Sequence, residues 1–401
     1  MKSFRSLDDA DVKGKRVLVR VDLNVPMQDG RILDSTRIAE IAPTLNELAG
    51  KGAKVILLSH LGRPKGPDPK YSLRPVAAEV ARIVGRPVAF APDCVGPVAA
   101  SAVSAMHGGD ILCLENTRFH PGEEKNDKAF AKQLAALGDV FVDEAFSAAH
   151  REHAANSAIV TVSGMPAYPG RAMKAELDAL ARAFEHPEHP VAAIVGGAKI
   201  STKLDLLGNL LSHVDTLIIG GGMANTFLAA RGVNVGKSLC EHDLTGEAES
   251  IFERADQAGC TVHLPYDVVV AKEFAPNPRS LRTCNVHEVA ADEMILDVGP
   301  AAVEALADAL KTCRTLVWNG PLGAFETPPF DEATVALAKT AAALTKEGSL
   351  VSVAGGGDTV AALNHAGVAQ DFSFVSTAGG AFLEWMEGRT LPGVAALEQQ
   401  G

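Results

Sequence analysis

Short apolar runs rich in valine, isoleucine and leucine alternate with amphipathic segments from one end of the chain to the other. Residues 16–21, 54–59, 110–114, 139–142, 158–162, 191–195, 215–219, 267–271, 315–318 and 349–353 read as strands. Several are apolar almost throughout, as strands covered on both faces must be. Between them, 37–50 places Ile38, Ile41, Leu45 and Leu48 at three- and four-residue spacing, the stripe of a helix packed on one side. Pro43 inside it removes a helix hydrogen bond and predicts a kink or a late start. Segments 126–137, 201–211 and 331–344 are cleaner helices. Gly52, Gly138 and Gly348 follow helical runs, where a C-capping glycine belongs. An uninterrupted helical pattern over 173–185 is stopped by Pro187 and Pro190, and a new strand starts at Val191. Repeated βα alternation predicts an α/β fold: two doubly wound, parallel-sheet (Rossmann-like) domains, 1–172 and 190–385, joined by a linker helix over 173–189.

A length of 401 residues suits two such domains. With 47% hydrophobic and 21% charged residues the composition is that of an ordinary globular protein. The net charge of −12 excludes a long-range basic field for nucleic acid or an anionic membrane, but leaves room for a local basic pocket. There is no apolar stretch of membrane-spanning length, and residues 1–15 are polar, with no apolar segment of signal type, so a cytoplasmic setting is expected. The cysteines, Cys94, Cys113, Cys240, Cys260, Cys284 and Cys313, form no Cys-x-x-Cys, so a structural zinc site is not expected. Cys113, in the apolar run 111–114, reads as a buried, reduced thiol.

In open α/β sheets, ligands bind at the carboxyl ends of the strands, so the residues that follow each strand carry the chemistry. In the first half these are Asp22 and Asn24, His60 and Arg63, Asn116 and Arg118, then His150 and Arg151, with Arg37 at the start of a helix. Arginines recurring at strand ends of one sheet, in an acidic protein, point to a small ligand with more than one anionic group. In the second half the strand ends carry glycine: Gly196-Gly197-Ala198-Lys199, Gly220-Gly221-Gly222, Asn319-Gly320-Pro321, Gly355-Gly356-Gly357-Asp358-Thr359 and Ala378-Gly379-Gly380. Glycine lets backbone N–H groups approach phosphate, and a following helix N-terminus adds a favourable dipole, so five such loops suggest a nucleotide.

Stock motifs are missing in an informative way. Gly236-Lys237-Ser238 ends like a phosphate-binding loop, but Arg231 stands where the first glycine is needed. There is no Gly-x-Gly-x-x-Gly, which argues against a nicotinamide dehydrogenase, and no Gly-x-Ser-x-Gly. His150/His153 and His186/His189 lack metalloprotease spacing. A non-catalytic two-lobed anion-binding protein would leave Lys199, Lys203 and Asp358 without a purpose.

Taken together, Asp22-Leu23-Asn24-Val25-Pro26, Ser59-His60-Leu61-Gly62-Arg63-Pro64, Glu115-Asn116-Thr117-Arg118-Phe119, Gly196-Gly197-Ala198-Lys199, Trp318-Asn319-Gly320-Pro321 and Gly355-Gly356-Gly357-Asp358-Thr359 resemble the phosphoglycerate kinase family, in the family's order. The resemblance implies reversible exchange of a phosphoryl group between 1,3-bisphosphoglycerate and ADP, giving 3-phosphoglycerate and ATP, with Mg²⁺, in glycolysis. It implies that Asp22, Leu23, Asn24, Arg37, His60, Leu61, Gly62, Arg63, Arg118 and Arg151 bind the phosphoglycerate. It assigns Lys203, Gly220, Gly221, Gly222, Asn319, Pro321, Glu326, Gly356, Gly357, Asp358 and Thr359 to the nucleotide, with Asp358 at the metal. Residues 386–401 are expected to pack back on the first domain. Asp143-Glu144 and Ala378 depart from the family's usual residues; the role of the first and the backbone at the second are left open. The attacking group is a substrate carboxylate, ionised near pH 7, so no general base is required. What remains is positioning and charge neutralisation, for which Arg37, Lys203, Lys199, Gly379 and Gly380 are the candidates. Closure of two domains around both ligands is expected, in a monomer.

Overall fold

The computed structural model describes residues 4–398. Contacts divide the chain into two units: one runs to Leu177 and resumes at Thr390, and the other spans Asp178–Arg389. The helix Arg171–Leu180 crosses the division and continues as a wider π-turn, Ala181–Glu185, which ends ahead of Pro187. Residues 1–3 and 399–401, within the expected first domain and its C-terminal segment, lie outside the described residues.

In the first unit six parallel strands lie in the order Val88–Ala91, Ile111–Leu114, Lys54–Leu58, Arg16–Arg20, Val140–Asp143, Ala167–Pro169. The inner strands are buried along almost their whole length, which their apolar sequences require. Helix Thr36–Gly50 buries Ile38, Ile41, Leu45 and Leu48 as its periodicity predicts; it begins ahead of Pro43, so the late start does not occur. Gly52 (φ +81°) follows that helix in the left-handed region. Gly138 does not cap: its Cβ would sit 2.4 Å from Leu18 Cγ, so close packing on the central strand excludes a side chain there.

The run 158–162 is not a strand. It belongs to a π-turn, Ala154–Ala158, and a short helix, Ile159–Ser163, closed by Gly164 at φ +62°. The strand falls just after it, at Ala167–Pro169. Helix Pro392–Glu398 belongs to this unit, and Gly393 N–H donates to Ala149 C=O at 2.9 Å. Glu387–Arg389 stay with the second unit, where Arg389 pairs with Asp205 at 2.9 Å.

The second unit orders its parallel strands Thr261–His263, Thr216–Ile219, Val191–Val195, Thr315–Asn319, Val351–Gly355, Phe374–Ser376. Numbered along the chain this is 3-2-1-4-5-6, the order of a dinucleotide-binding fold, with its switch point between 191–195 and 315–319. Residues 267–271 form a strand but not in this sheet. They are the centre of an antiparallel insertion, Arg282–Asn285, Asp267–Ala271, Met294–Val298. Gly236-Lys237-Ser238 packs against that insertion: Lys237 N–H donates to Glu293 C=O and Ser238 Oγ accepts from Ile295 N–H. None of the six cysteines is in a disulfide. Among the described residues no helix is long and apolar enough to cross a membrane.

Candidate active site

The loops that follow the first unit's strands converge on one another. Asp22 is the hub of the first loop. Its Oδ1 accepts from Asn24 N–H at 2.9 Å, and its Oδ2 accepts from Arg37 Nη1 at 2.9 Å and from Ser147 Oγ. Arg37 Nη1 also donates to Asn24 C=O at 2.9 Å. Asn24 Oδ1 takes Gly62 N–H (2.8 Å), Leu23 N–H donates to Ser59 Oγ (2.9 Å), and Asn116 Nδ2 donates to Leu61 C=O (2.8 Å). Backbone and side chain thus lock three strand ends together. Arg118 is almost fully buried and donates through Nη1 to Gly62 C=O at 2.6 Å. Its Nε lies 3.3 Å from Glu124 Oε1 without hydrogen-bond geometry, and Nε and Nη2 make no hydrogen bond. Arg63 is exposed and Arg151 half-buried, with Nε 3.4 Å from His150 Nε2.

Two residues of this cluster escaped the sequence reading. Arg20, the last residue of the central strand, is fully buried; its Nη2 lies 2.9 Å from His60 Nδ1, and its Nε has no partner. Because an arginine only donates, His60 Nδ1 is the acceptor and the ring is neutral. Burial, then Arg20, Arg118 and Arg151, holds His60 well below the usual histidine range. His153 is the second, pushed down to about 4 by burial and then by Arg118 and Arg20. The position of Arg20 in an apolar strand hid it; only a charged residue inside a buried run could have flagged it.

The Asp143-Glu144 pair acts beneath this cluster. Asp143, in register with Arg20, is raised to about 6 by burial, with Ala145 N–H and Arg20 opposing. Glu144, raised to about 7 by burial, accepts from Thr44 Oγ1 and from Ala172 and Met173 N–H, so it anchors the start of helix Arg171–Leu180. The histidines carry a measurable pH dependence. Unfolded, His153 binds a proton near pH 6.5; folded, only near pH 4, so acidification through that window favours unfolding. Between about pH 7.5 and pH 5, denaturant unfolding of the parent chain is expected to lose about 1–2 kcal/mol more stability than that of His153→Gln. Equal losses would mean that the folded ring titrates normally.

In the second unit the glycine loops meet at the switch point. A Cβ on Gly196 would fall 1.9 Å from Pro321 C=O, and one on Gly320 (φ +99°) 2.2 Å from Gly196 C=O, so two loops touch backbone to backbone. Gly356 (φ +100°) precedes helix Gly357–His365, and Gly379 begins helix Gly379–Met386. A Cβ at Gly379 would sit 3.4 Å from Gly356 Cα, so the two helix N-termini, each with free N–H groups, lie side by side. Ala378 sits at φ −95°, where a Cβ is unstrained. Lys203, half-buried beside these loops, donates through Nζ to Asn319 Oδ1, while Asn319 Nδ2 donates to Gly355 C=O at 2.8 Å. Burial lowers the pKa of Lys203, with Glu387 and Asp358 opposing. Thr359 Oγ1 accepts from Gly320 N–H at 2.7 Å. Lys199 is exposed on the neighbouring turn, beside Glu241.

A cavity of about 550 Å³ opens here, lined by Gly221, Gly222, Pro321, Glu326 and Asp358 among others. Gly220 stands behind it, packed on Leu322. Its far wall, including Leu239, Phe274, Leu296 and Asp297, had no sequence signal, because the antiparallel insertion supplies most of it. Asp297 is raised to about 8 by burial, against Ala333 and Val298 N–H.

Unsatisfied arginine donors at the strand ends of one unit, and in the other a cavity edged by glycine loops and by Asp358 at a helix start, define a two-part α/β enzyme that handles a small anion and a nucleotide. The sequence family described as phosphoglycerate kinase matches residues 7–389. A phosphoglycerate kinase of Novosphingobium aromaticivorans is 70% identical over 398 residues, 99% of this chain and 100% of that protein. The solved phosphoglycerate kinase from Coxiella burnetii matches with a TM-score of 0.92 at 40% identity, covering 99% of each chain. That from Pyrococcus horikoshii matches at 0.81 and 29% identity, covering 98% of each. The chain belongs to the phosphoglycerate kinase family. Its reaction is the reversible phosphoryl transfer of glycolysis between 1,3-bisphosphoglycerate and ADP.

Proposed function

We propose that the first unit holds the phosphoglycerate, that the second holds the nucleotide, and that the two close on each other for the transfer. The observation that carries this reading is the set of buried, unpartnered donors on Arg20 and Arg118 beside neutral His60. Such donors are costly inside a protein and call for an anion. Arg37, Arg63 and Arg151 add forks around them; Asp22 and Asn24 hold Arg37, Gly62 C=O holds Arg118, and Leu23 and Leu61 tie the loops that carry them.

On the nucleotide side, Gly220–Gly222, Asn319, Pro321 and Glu326 line or back the cavity that takes base and ribose. Gly356, Gly357 and Thr359 present the phosphate end. Asp358 is an exposed carboxylate in the first turn of helix Gly357–His365, on the cavity's edge. Mg²⁺ is usually held by one or two carboxylates plus substrate phosphates, and this donor set fits it. When bound, Mg²⁺ neutralises phosphate charge. Arg37, Lys203 and the Gly379 and Gly380 N–H groups receive the charge of the phosphoryl group in transit, and Lys199 reaches it from the rim. Neither His60 nor His153 is needed as a base. Closure keeps water from the acyl phosphate. The enzyme works as a cytoplasmic monomer, since closure needs no second subunit.

Calorimetry on two variants tests the division. Arg118→Ala should lose at least about tenfold in 3-phosphoglycerate affinity and keep its Mg·ADP affinity. Asp358→Asn should do the reverse, and should weaken Mg·ADP more than metal-free ADP. Losses on the opposite ligands would overturn the assignment.

A further inference from the structure

Three side chains from two loops of the first unit meet outside the residues assigned above: Asp93, Cys94 and His120. One ligand atom of each lies within 4.8 Å of the other two, and His120 Nε2 is 2.8 Å from Asp93 Oδ1. We propose that this trio binds a borderline-soft divalent cation, Zn²⁺, at a site separate from the magnesium–nucleotide chemistry.

The topology explains why no spacing motif announces it. Strands Val88–Ala91 and Ile111–Leu114 are parallel neighbours, so the loops that leave their carboxyl ends emerge side by side. Residues 93–94 and 120 are brought together only by that pairing. The donors are held ready. Asp93 Oδ1 accepts from Cys94 N–H at 2.7 Å, and the His120 ring stacks on Phe130 with centroids 5.1 Å apart. Cys94 is fully buried, and among the described residues its Sγ has no hydrogen-bond partner. An arriving cation would take Cys94 as the thiolate and release its proton to solvent.

Thiolate, imidazole and carboxylate together suit Zn²⁺ and disfavour Mg²⁺, which prefers oxygen alone. Zinc bonds of about 2.0–2.3 Å separate tetrahedral donors by roughly 3.3–3.6 Å, and the ligand atoms here, all within 4.8 Å of one another, would draw together onto the ion. A cavity of about 560 Å³, lined by Asp93 and His120, reaches the site from solvent. Glu115 on its wall is committed to Leu73 and Asn116 N–H and Ser72 Oγ, so the fourth position is left to water.

Titration of the metal-free full chain with Co²⁺, the spectroscopic substitute for Zn²⁺, tests the site. One equivalent should give a thiolate-to-cobalt charge-transfer band that Zn²⁺ displaces. Cys94→Ala should abolish the band. His120→Asn, at a half-exposed position that tolerates change, should weaken binding by at least about tenfold. Cys240→Ser is the control, because Cys240 Sγ and His242 Nδ1 form another thiol–imidazole pair, at 3.7 Å. It should leave the band intact. No thiolate band at millimolar Co²⁺, undiminished binding in His120→Asn, a band that survives Cys94→Ala, or one lost in Cys240→Ser would each overturn the proposal.

Discussion

A Lys203→Met variant is expected to turn over about 10²–10³-fold more slowly than the parent chain, with a much smaller change in KM for either substrate. Methionine keeps the length and apolar stem of lysine and removes only the charge. That charge sits on a half-buried side chain whose Nζ is tied to the neutral Asn319 amide, with Glu387 and Asp358 nearby. A cation in that position is weakly screened, so it acts strongly on negative charge that develops in the transferring group. The Asn319 tether also fixes where the charge lies before substrate arrives, because Asn319 is itself anchored to Gly355 C=O. Stability should change little, since the variant removes a desolvated charge. A loss confined to KM would place Lys203 in ground-state binding instead.

Arg37→Lys should lower kcat by at least about tenfold, roughly 1.4 kcal/mol of transition-state stabilisation. The guanidinium is used asymmetrically. Nη1 is bound to both Asp22 Oδ2 and Asn24 C=O, and the remaining donors of the fork are free for an anion. Lysine has one nitrogen on a flexible stem. It keeps the ion pair with Asp22 or reaches the ligand, but lacks the planar fork that does both. Steady-state kinetics decide the matter: an unchanged kcat would reduce Arg37 to a loop tie.

What the chain disclosed in advance follows from which forces act locally. The buried parallel strands were legible because burial on both faces leaves near-continuous apolar runs. The run 158–162 misled because the same β-branched residues, Ile159 and Val160, bury equally well from one side of a short helix. Val88–Ala91 and Ala167–Pro169, short and at the sheet's edges, carry too little pattern to be seen. Gly138 looked like a cap because sequence shows the absence of a side chain, not which neighbour forbids it. In the candidate site, the loop residues Asp22, His60 and Arg118 stood out as polar punctuation after apolar runs. Arg20 did not, because it ends such a run and, apart from the adjoining Val21 C=O, its partners His60 and Asp143 are distant in sequence. The cavity wall around Asp297 was hidden for a similar reason: the insertion that builds it is far from the glycine loops in sequence.

Small-angle scattering from the intact chain tests most directly the claim that two half-sites are joined by closure. Four states are compared: the chain alone, with 3-phosphoglycerate, with Mg·ADP, and with both. Each ligand supplies only part of the free energy that favours the closed form, so the radius of gyration should fall mainly when both are present. A radius of gyration in the ternary state equal to that of the free chain would contradict the account.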